Sequence, residues 1–389
     1  MRPRRLIALL HRYLGLGLMG FIGLAALTGS VLVFGQEIDR LLNPDILSTP
    51  PPAPGTAPRP LAELVAAATA HQQARDDGPW QALSLLPPRH ETGVGALLFK
   101  ARDPDAEGRG RFHQVLVDPF TARVLGDRSR SGHELDRRNF IHLLSEIHGK
   151  LLLGKTGFWI MGIGSGLWAL MTLAGLYLWW PGRNKLGLAL QIKWQAGAAR
   201  LHFDLHRTAG FYSAPVLLVL AVTGVYMALP GEVRPLVAAL SLLDESKTPR
   251  AAPSDRPPID ADEAVRIARG VFPDGKLRRV GLPRSADVCY AIGFLLPGEV
   301  QRPTTSRSTV WVAVRGGEIL RSLDATRSSP GDSYLNWQTP LHTGTAFGLP
   351  GRIGVLLGGL STLVLIYAGL RMWLRRKAPR LIVRAPLGT

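Results

Sequence analysis

Ten histidines punctuate the chain, and six of them stand close to long uncharged runs: His11, His142, His148, His202, His206 and His342. Imidazole ligates metals through a neutral ring nitrogen and carries protons near neutral pH. Ionisable groups at membrane depth are costly and mark ligation or charge movement. One interfacial histidine is accounted for by headgroup contact; six placed this way ask for more. His202 and His206 are four apart, on one helical face, a spacing used for zinc and copper. Asp204 is the one acid near them and points to another face, so that set lacks a third ligand. His142 and His148 are six apart, about 240° around a helix, which prevents one regular helix from offering both to one metal.

The elements that must position these histidines are four stretches without a charged residue, at residues 13–34, 156–181, 208–231 and 353–370. Each approaches or exceeds the roughly 20 residues needed to cross a bilayer. The last is the shortest, but residues 372–374 extend it past Arg371, whose stem can snorkel. The chain carries 46 Lys+Arg against 29 Asp+Glu, a net +17. Such a surplus usually suggests nucleic acid. Here the two long polar segments, 36–140 and 232–341, are together nearly neutral. The excess sits at helix ends: Arg2, Arg4, Arg5 and Arg12 before the first run; Arg183, Lys185, Lys193, Arg200 and Arg207 between the second and third; Arg371, Arg375, Arg376, Lys377, Arg380 and Arg384 after the fourth. Asp204 is the single acid among them. By the positive-inside rule these ends are cytoplasmic, giving an N-in, C-in protein with both large segments outside. A nucleic-acid partner is thereby set aside in favour of membrane lipid. A cleaved signal peptide is not expected, because the first run is too long and lacks a clear A-x-A site.

The expected organisation is therefore an α-helical membrane protein with four transmembrane helices and two outer α+β segments. Residues 1–35 hold the N-terminus and first span, 36–140 the first outer segment, and 141–231 the second and third spans with their loop. Residues 232–341 form the second outer segment, and 342–389 the last span and basic tail. A Pro-rich linker at 49–60 leads to a helix at 61–71 and strands at 80–86, 95–101 and 112–125, the last turning at Asp118-Pro119. A helix at 260–272 and strands at 277–282, 289–296 and 308–320, the last turning at Gly316-Gly317, repeat that order. Cys289, the only cysteine, cannot form an intramolecular disulfide and reads as a buried strand residue. No Cys-x-x-Cys-His is present, which excludes covalent c-type haem attachment.

The topology sorts the six histidines into two sets of three, with His11, His202 and His206 inside and His142, His148 and His342 outside. His11 and His206 each lie two residues before an apolar run, about 3 Å from its edge. His148 and His342 lie eight and eleven residues before theirs. If helix continues through both lead-ins, their depths differ by only about 5 Å. Two pairs on different helices would then face each other at matching heights, the arrangement that bis-histidine haem b requires. Gly15-x-Gly17-x-x-Gly20 spells a dinucleotide fingerprint, but it lies inside a span with no preceding strand and is discarded.

Four motifs carry a resemblance: His11-Arg12-Tyr13-Leu14-Gly15 with Leu27-Thr28-Gly29; Leu143-Leu144-Ser145-Glu146-Ile147-His148; Asp204-Leu205-His206-Arg207-Thr208-Ala209-Gly210; and Leu341-His342-Thr343-Gly344-Thr345-Ala346-Phe347-Gly348. With the outer helix–sheet pattern, they resemble the PepSY-associated transmembrane helix family, most of all its inner-membrane ferrisiderophore reductases of the ferrioxamine type. The resemblance implies two haem b groups in a bacterial inner-membrane protein, passing electrons outward to a ferric hydroxamate-type siderophore in the periplasm and releasing Fe(II). It implies His11 and His206 as inner haem-iron ligands and His148 and His342 as outer ones, with His142 and His202 as second choices. Arg12, Arg207 and Arg352 are placed to meet haem propionates, although topology explains the first two equally well. The electron donor would be quinol or a cytoplasmic reductase, since no flavin or nicotinamide domain is present. Trp168, Phe211 and Tyr212 lie at intermediate height between the two haems, though core packing explains each. Two other classes stay open: a non-enzymatic membrane protein whose PepSY-like units bind a periplasmic partner or protease, and a metal- or proton-coupled permease.

Overall fold

The computed structural model describes residues 3–75, 78–89, 92–103, 110–130, 134–244, 247–284, 289–302 and 307–377. Arg2, Arg380 and Arg384, and with them most of the expected basic tail, lie outside the described residues. Four helices are long and apolar enough to span a membrane: α1 (Pro3–Leu32), α6 (Gly154–Trp179), α8 (Ala198–Ala228) and α12 (Gly348–Lys377). The described chain adds α2 (Gly35–Leu42), α3 (Pro44–Leu47), α4 (Leu61–Gln73), α5 (Phe140–Lys150), α7 (Leu186–Ala189), α9 (Pro230–Ala238), α10 (Ala261–Val271) and α11 (Pro330–Thr343). Strands are β1 (Trp80–Leu86), β2 (Gly95–Ala101), β3 (Phe112–Val117), β4 (Val124–Ser129), β5 (Lys276–Gly281), β6 (Cys289–Leu295), β7 (Ser308–Ala313) and β8 (Ile319–Leu323).

These elements sort into two compact units. One gathers Met1–Val33, His148–Leu229 and the chain from Leu349 on; the other gathers Phe34–Ile147 and Pro230–Gly348. In the first, α6 packs along both α8 and α1, with Ile22, Trp168, Leu217 and Ala221 buried together. Close approach depends on small residues. A Cβ on Gly164 would strike the Phe21 ring at 2.5 Å, and one on Gly358 would lie 2.8 Å from Val216. Gly162 lies against Leu229 just as closely, whereas Gly166, one turn on, has only ordinary contact. Arg352 donates to the Val33 carbonyl at 2.8 and 3.1 Å, tying the start of α12 to the end of α1.

The second unit is one eight-stranded antiparallel sheet in the order β4-β3-β2-β1-β5-β6-β7-β8. The two outer segments are thus halves of a single sheet, joined where Ser84 pairs with Gly281 and Leu85 with Val280. Period-2 alternation buries Leu97, Phe99, Val115 and Val117 in one half and Ile292, Phe294, Val310 and Val312 in the other. Leu64 and Ala68 of α4 and Ala264 and Ala268 of α10 close over that face. Full burial of such aliphatic or aromatic side chains contributes about 1.5–3 kcal/mol each. Asp260 caps α10 by accepting from the Glu263 amide at 2.8 Å. Asp262 of α10 accepts from the amides of Leu61 and Ala62 at 2.8 and 2.9 Å, so one half's helix caps the other's. Cys289 is buried, as expected, and burial pushes its thiol pKa up.

Two expectations need correction. His148 and His342 do not ride on continuous extensions of the span helices. Leu151 and Leu152 adopt positive φ of 53° and 59° and separate α5 from α6. Gly344 (φ 75°) and Gly348 (φ 60°) separate α11 from α12. Left-handed backbone cannot continue a right-handed helix, so depth arithmetic based on unbroken helices does not hold there. For the other histidine pair the opposite applies: α1 and α8 begin well before their uncharged runs, and His11 and His206 are integral to them.

Candidate functional site

His11 on α1 and His206 on α8 are brought together, with ring centres 6.3 Å apart and ring planes at 82°. Each is held from behind by a different helix. His11 Nδ1 donates to the Met171 carbonyl of α6 at 3.1 Å, and His206 Nδ1 donates to the Leu365 carbonyl of α12 at 3.0 Å. A carbonyl can only accept, so each bond places the proton on Nδ1 and leaves the Nε2 lone pair for a metal. Both rings also rest on a glycine one helical turn beyond the accepting carbonyl. A Cβ on Gly175 would lie 3.0 Å from His11 Cε1, and one on Gly369 would lie 3.4 Å from His206 Cε1. The glycines make room for the imidazoles, and the carbonyls orient them.

The same arrangement recurs a third time. His148 lies against Gly29 of α1, where a Cβ would stand 2.9 Å from its Cε1. It bonds the carbonyl of Ala25, again four residues before the glycine, and its Nδ1 is 3.0 Å from Thr28 Oγ1. Thr28 spends its own proton on the Leu24 carbonyl at 2.7 Å, so His148 Nδ1 is the donor. Along α1 the 18 residues from His11 to Gly29 correspond to about 27 Å. The helical unit therefore carries two histidine stations near opposite ends of one span.

A test of whether these residues fit haem iron rests on three observations. Two metal–imidazole bonds of about 2.0–2.1 Å plus two half-rings sum to roughly 6 Å between ring centres, close to the 6.3 Å seen. Both lone pairs are preset by backbone. Beside His11, between α1 and α6, lies an open apolar groove of about 480 Å³ lined by Ile7, Leu10, Leu14, Leu170, Met171 and Ala174 among others; His206 is not part of its lining. The inner station fits the group, and His148 has the same orientation.

The remaining expected residues are placed differently. His202 is buried at 6% exposure with its ring centre 5.6 Å from that of Tyr367, and its Nδ1 has no hydrogen-bond partner. It lacks the carbonyl-and-glycine seat of the other three. His142 lies on α5 and His342 in the last turn of α11, both half-buried and both in the sheet-containing unit. Arg207 is engaged with Asp204 at 3.0 Å and with the carbonyls of Leu188 and Gln191. That pins the 182–197 loop to α8. Arg352 is engaged with Val33 as described, and Arg12 is half-buried on α1. Trp168 is a core residue, Phe211 stacks on Trp179 at 3.8 Å, and Tyr212 is exposed. No group of three His, Cys, Asp or Glu among the described residues could hold a metal ion by itself.

One cluster went unanticipated in the sequence. In the first half of the sheet, Asp127 of β4 receives His71 Nε2 of α4 at 2.6 Å and, at 3.3 Å, Nη1 of Arg75 just past the end of that helix. His113 of β3 stands 3.6 Å away on its other side and bonds Gln72 through Nδ1 at 2.7 Å. Burial works to raise the Asp127 pKa, but the His71 bond and the charges of His113 and Arg75 outweigh it and leave the pKa lowered. Trp80, Arg111 and Arg128 join these residues around a cavity of about 420 Å³.

No curated protein matches the chain. The model of the PepSY-associated TM region matches residues 8–376, nearly the whole length, and this multi-pass membrane protein belongs to that family.

Proposed function

We propose that the protein is a haem b-dependent reductase of the bacterial inner membrane, handing electrons to Fe(III)–siderophore on the periplasmic side. The observation that carries this reading is the facing pair of His11 and His206, each with Nδ1 locked to a carbonyl and Nε2 left to ligate. When bound, haem would supply reversible one-electron chemistry at iron. His11 and His206 would hold the inner group, and His148 the outer one with His342 as its expected second ligand. The carbonyls of Met171, Leu365 and Ala25 would keep the rings in one tautomer, and the groove beside His11 is lined by apolar side chains. The basic flanks support a cytoplasmic position for the His11 end of α1 and an outer position for the His148 end. Quinol or a cytoplasmic reductase would supply the electrons, and the ferric hydroxamate-type chelate would take up one electron per iron. Fe(II) matches hard oxygen ligands less well than Fe(III), so the chelate loosens and the metal is released.

The testing experiment is an absorption spectrum of detergent-purified protein from haem-replete cells, oxidised and then reduced with dithionite. A Soret band and a haem b content of roughly two per chain are expected for paired axial histidines. Absence of a Soret band overturns the reading in favour of a non-enzymatic PepSY protein or a permease. With haem present, the reduced protein should be reoxidised by ferric hydroxamate siderophore faster than by buffer. Equal rates would remove the siderophore from the proposal.

A further inference from the structure

Helix α9 follows α8 after a single residue, and α11 ends five residues before α12 begins. Both elements therefore adjoin spans, yet each leaves large apolar side chains exposed. Leu236 of α9 and Leu240 and Leu242 beyond it are 69%, 91% and 88% exposed. On α11, Tyr334 and Trp337 are exposed at i, i+3 spacing, while Gly331, Asp332, Leu335, Asn336 and Gln338 on its other side are buried.

The two elements are fastened to each other. Ser241 Oγ accepts from the Gly331 amide at 2.9 Å, and Asp332 accepts from the Asp244 amide at 2.7 Å. Ser329 Oγ donates to the Leu242 carbonyl at 2.6 Å. The leucine-bearing turn is thus braced through its backbone, and its leucines are presented outward. A turn held this firmly has no need of three bare leucines for its own folding.

We propose that α9, its following turn and the Tyr334–Trp337 face of α11 form a platform that rests in the interfacial layer of the lipid bilayer. Short helices with leucine on one face bury it at the headgroup–acyl boundary, and tyrosine and tryptophan favour that same layer. Direct chain continuity with two spans sets the bilayer, rather than a distant protein, as the occupant. Glu232, Arg234 and Asp244 nearly balance one another, so apolar burial drives the contact and zwitterionic lipid suffices. The platform stands independently of the haem reading.

The test places an environment-sensitive fluorophore on a Leu240→Cys variant of the full-length protein, with Arg266→Cys on exposed α10 as the control. The native Cys289 is buried and stays unlabelled under native conditions. In phosphatidylcholine nanodiscs holding one copy each, the probe at 240 should emit to the blue of the control. Headgroup-proximal spin-labelled lipid should quench it several-fold more strongly. Water-like emission with equal iodide quenching at both positions overturns the proposal. So does a blue shift that lipid quenchers leave untouched, or one found only when discs hold two copies, which would assign the patch to a second chain. A Leu236→Ser/Leu242→Ser pair in the labelled background should partly restore iodide access at 240.

Discussion

The two ends of the helical unit use one device and differ in what surrounds it. At one end, His11 and His206 each sit on a long unbroken helix and face each other across 6.3 Å. At the other, His148 has the same seat of carbonyl and glycine, but its short helix stops at two left-handed leucines. Left-handed backbone costs a non-glycine residue roughly 1–2 kcal/mol, so the chain sustains a strained elbow directly after His148. Both histidines of the first pair lie within one unit, each seated by its own carbonyl. The outer station offers one prepared imidazole on an element that can be tuned separately from the span.

The sharpest way to break this comparison is to remove histidines. His11→Ala and His206→Ala should each abolish the same inner haem, halving the pyridine haemochrome yield, while His202→Ala should leave the yield intact. If His202→Ala alone removed it, the seat of carbonyl and glycine would have no bearing on ligation. Crowding the seat comes next in size. Gly175→Ala and Gly29→Ala place a methyl about 3 Å from the ring, closer than nearly all real contacts, whereas Gly369→Ala is milder at 3.4 Å. The first should shift the midpoint potential of the inner haem, the second that of the outer haem, and the third should move the inner one least. Equal shifts from Gly29→Ala at both haems would show that the stations are not separate.

A third variant probes the sheet rather than the bundle. The folded-state pKa of Asp127 is depressed, so its stabilising contribution is present above the ordinary carboxylate range and is lost as pH falls through the lowered value. Asp127→Asn should cost about 1.5–3 kcal/mol near neutral pH, as for a hydrogen bond to a charged group. Amide exchange in α4 and β4 should accelerate accordingly, and its acid dependence should flatten while both haem spectra stay unchanged. The smallest effect is expected from Thr28→Ala. Losing one neutral hydrogen bond to His148 costs about 0.5–1.5 kcal/mol, visible as weaker retention of the outer haem during dilution and invisible at the inner one.

Much of this was legible in the residues. Charge-free runs located the four long helices, and alternation located β1 and β2 at the limits observed, because both signals are local. The closeness of His11 and His206 was legible for the same reason: both stand at equal distances from two apolar runs. What escaped depended on distant partners. Nothing near Gly29, Gly175 or Gly369 announces an imidazole, since each glycine serves a residue more than a hundred positions away. His71, His113 and Asp127 are likewise scattered over α4, β3 and β4, and only the sheet gathers them. The elbow at Leu151-Leu152 was hidden because leucine favours continuing a helix. The joining of two outer segments into one sheet was hidden because a two-pair seam leaves no mark on either strand.

That narrow seam bears on how the protein is made. The strand β1 is finished early, yet its partner β5 follows only after α6, α8 and some ninety residues of further loops and helices have been synthesised. During that interval the first four strands present an open edge at Ser84-Leu85, and unpaired edges recruit foreign strands. The nascent half-sheet therefore carries an edge open to mispairing until its second half arrives. A chain stalled before Lys276 would be degraded or aggregated whatever the condition of its spans.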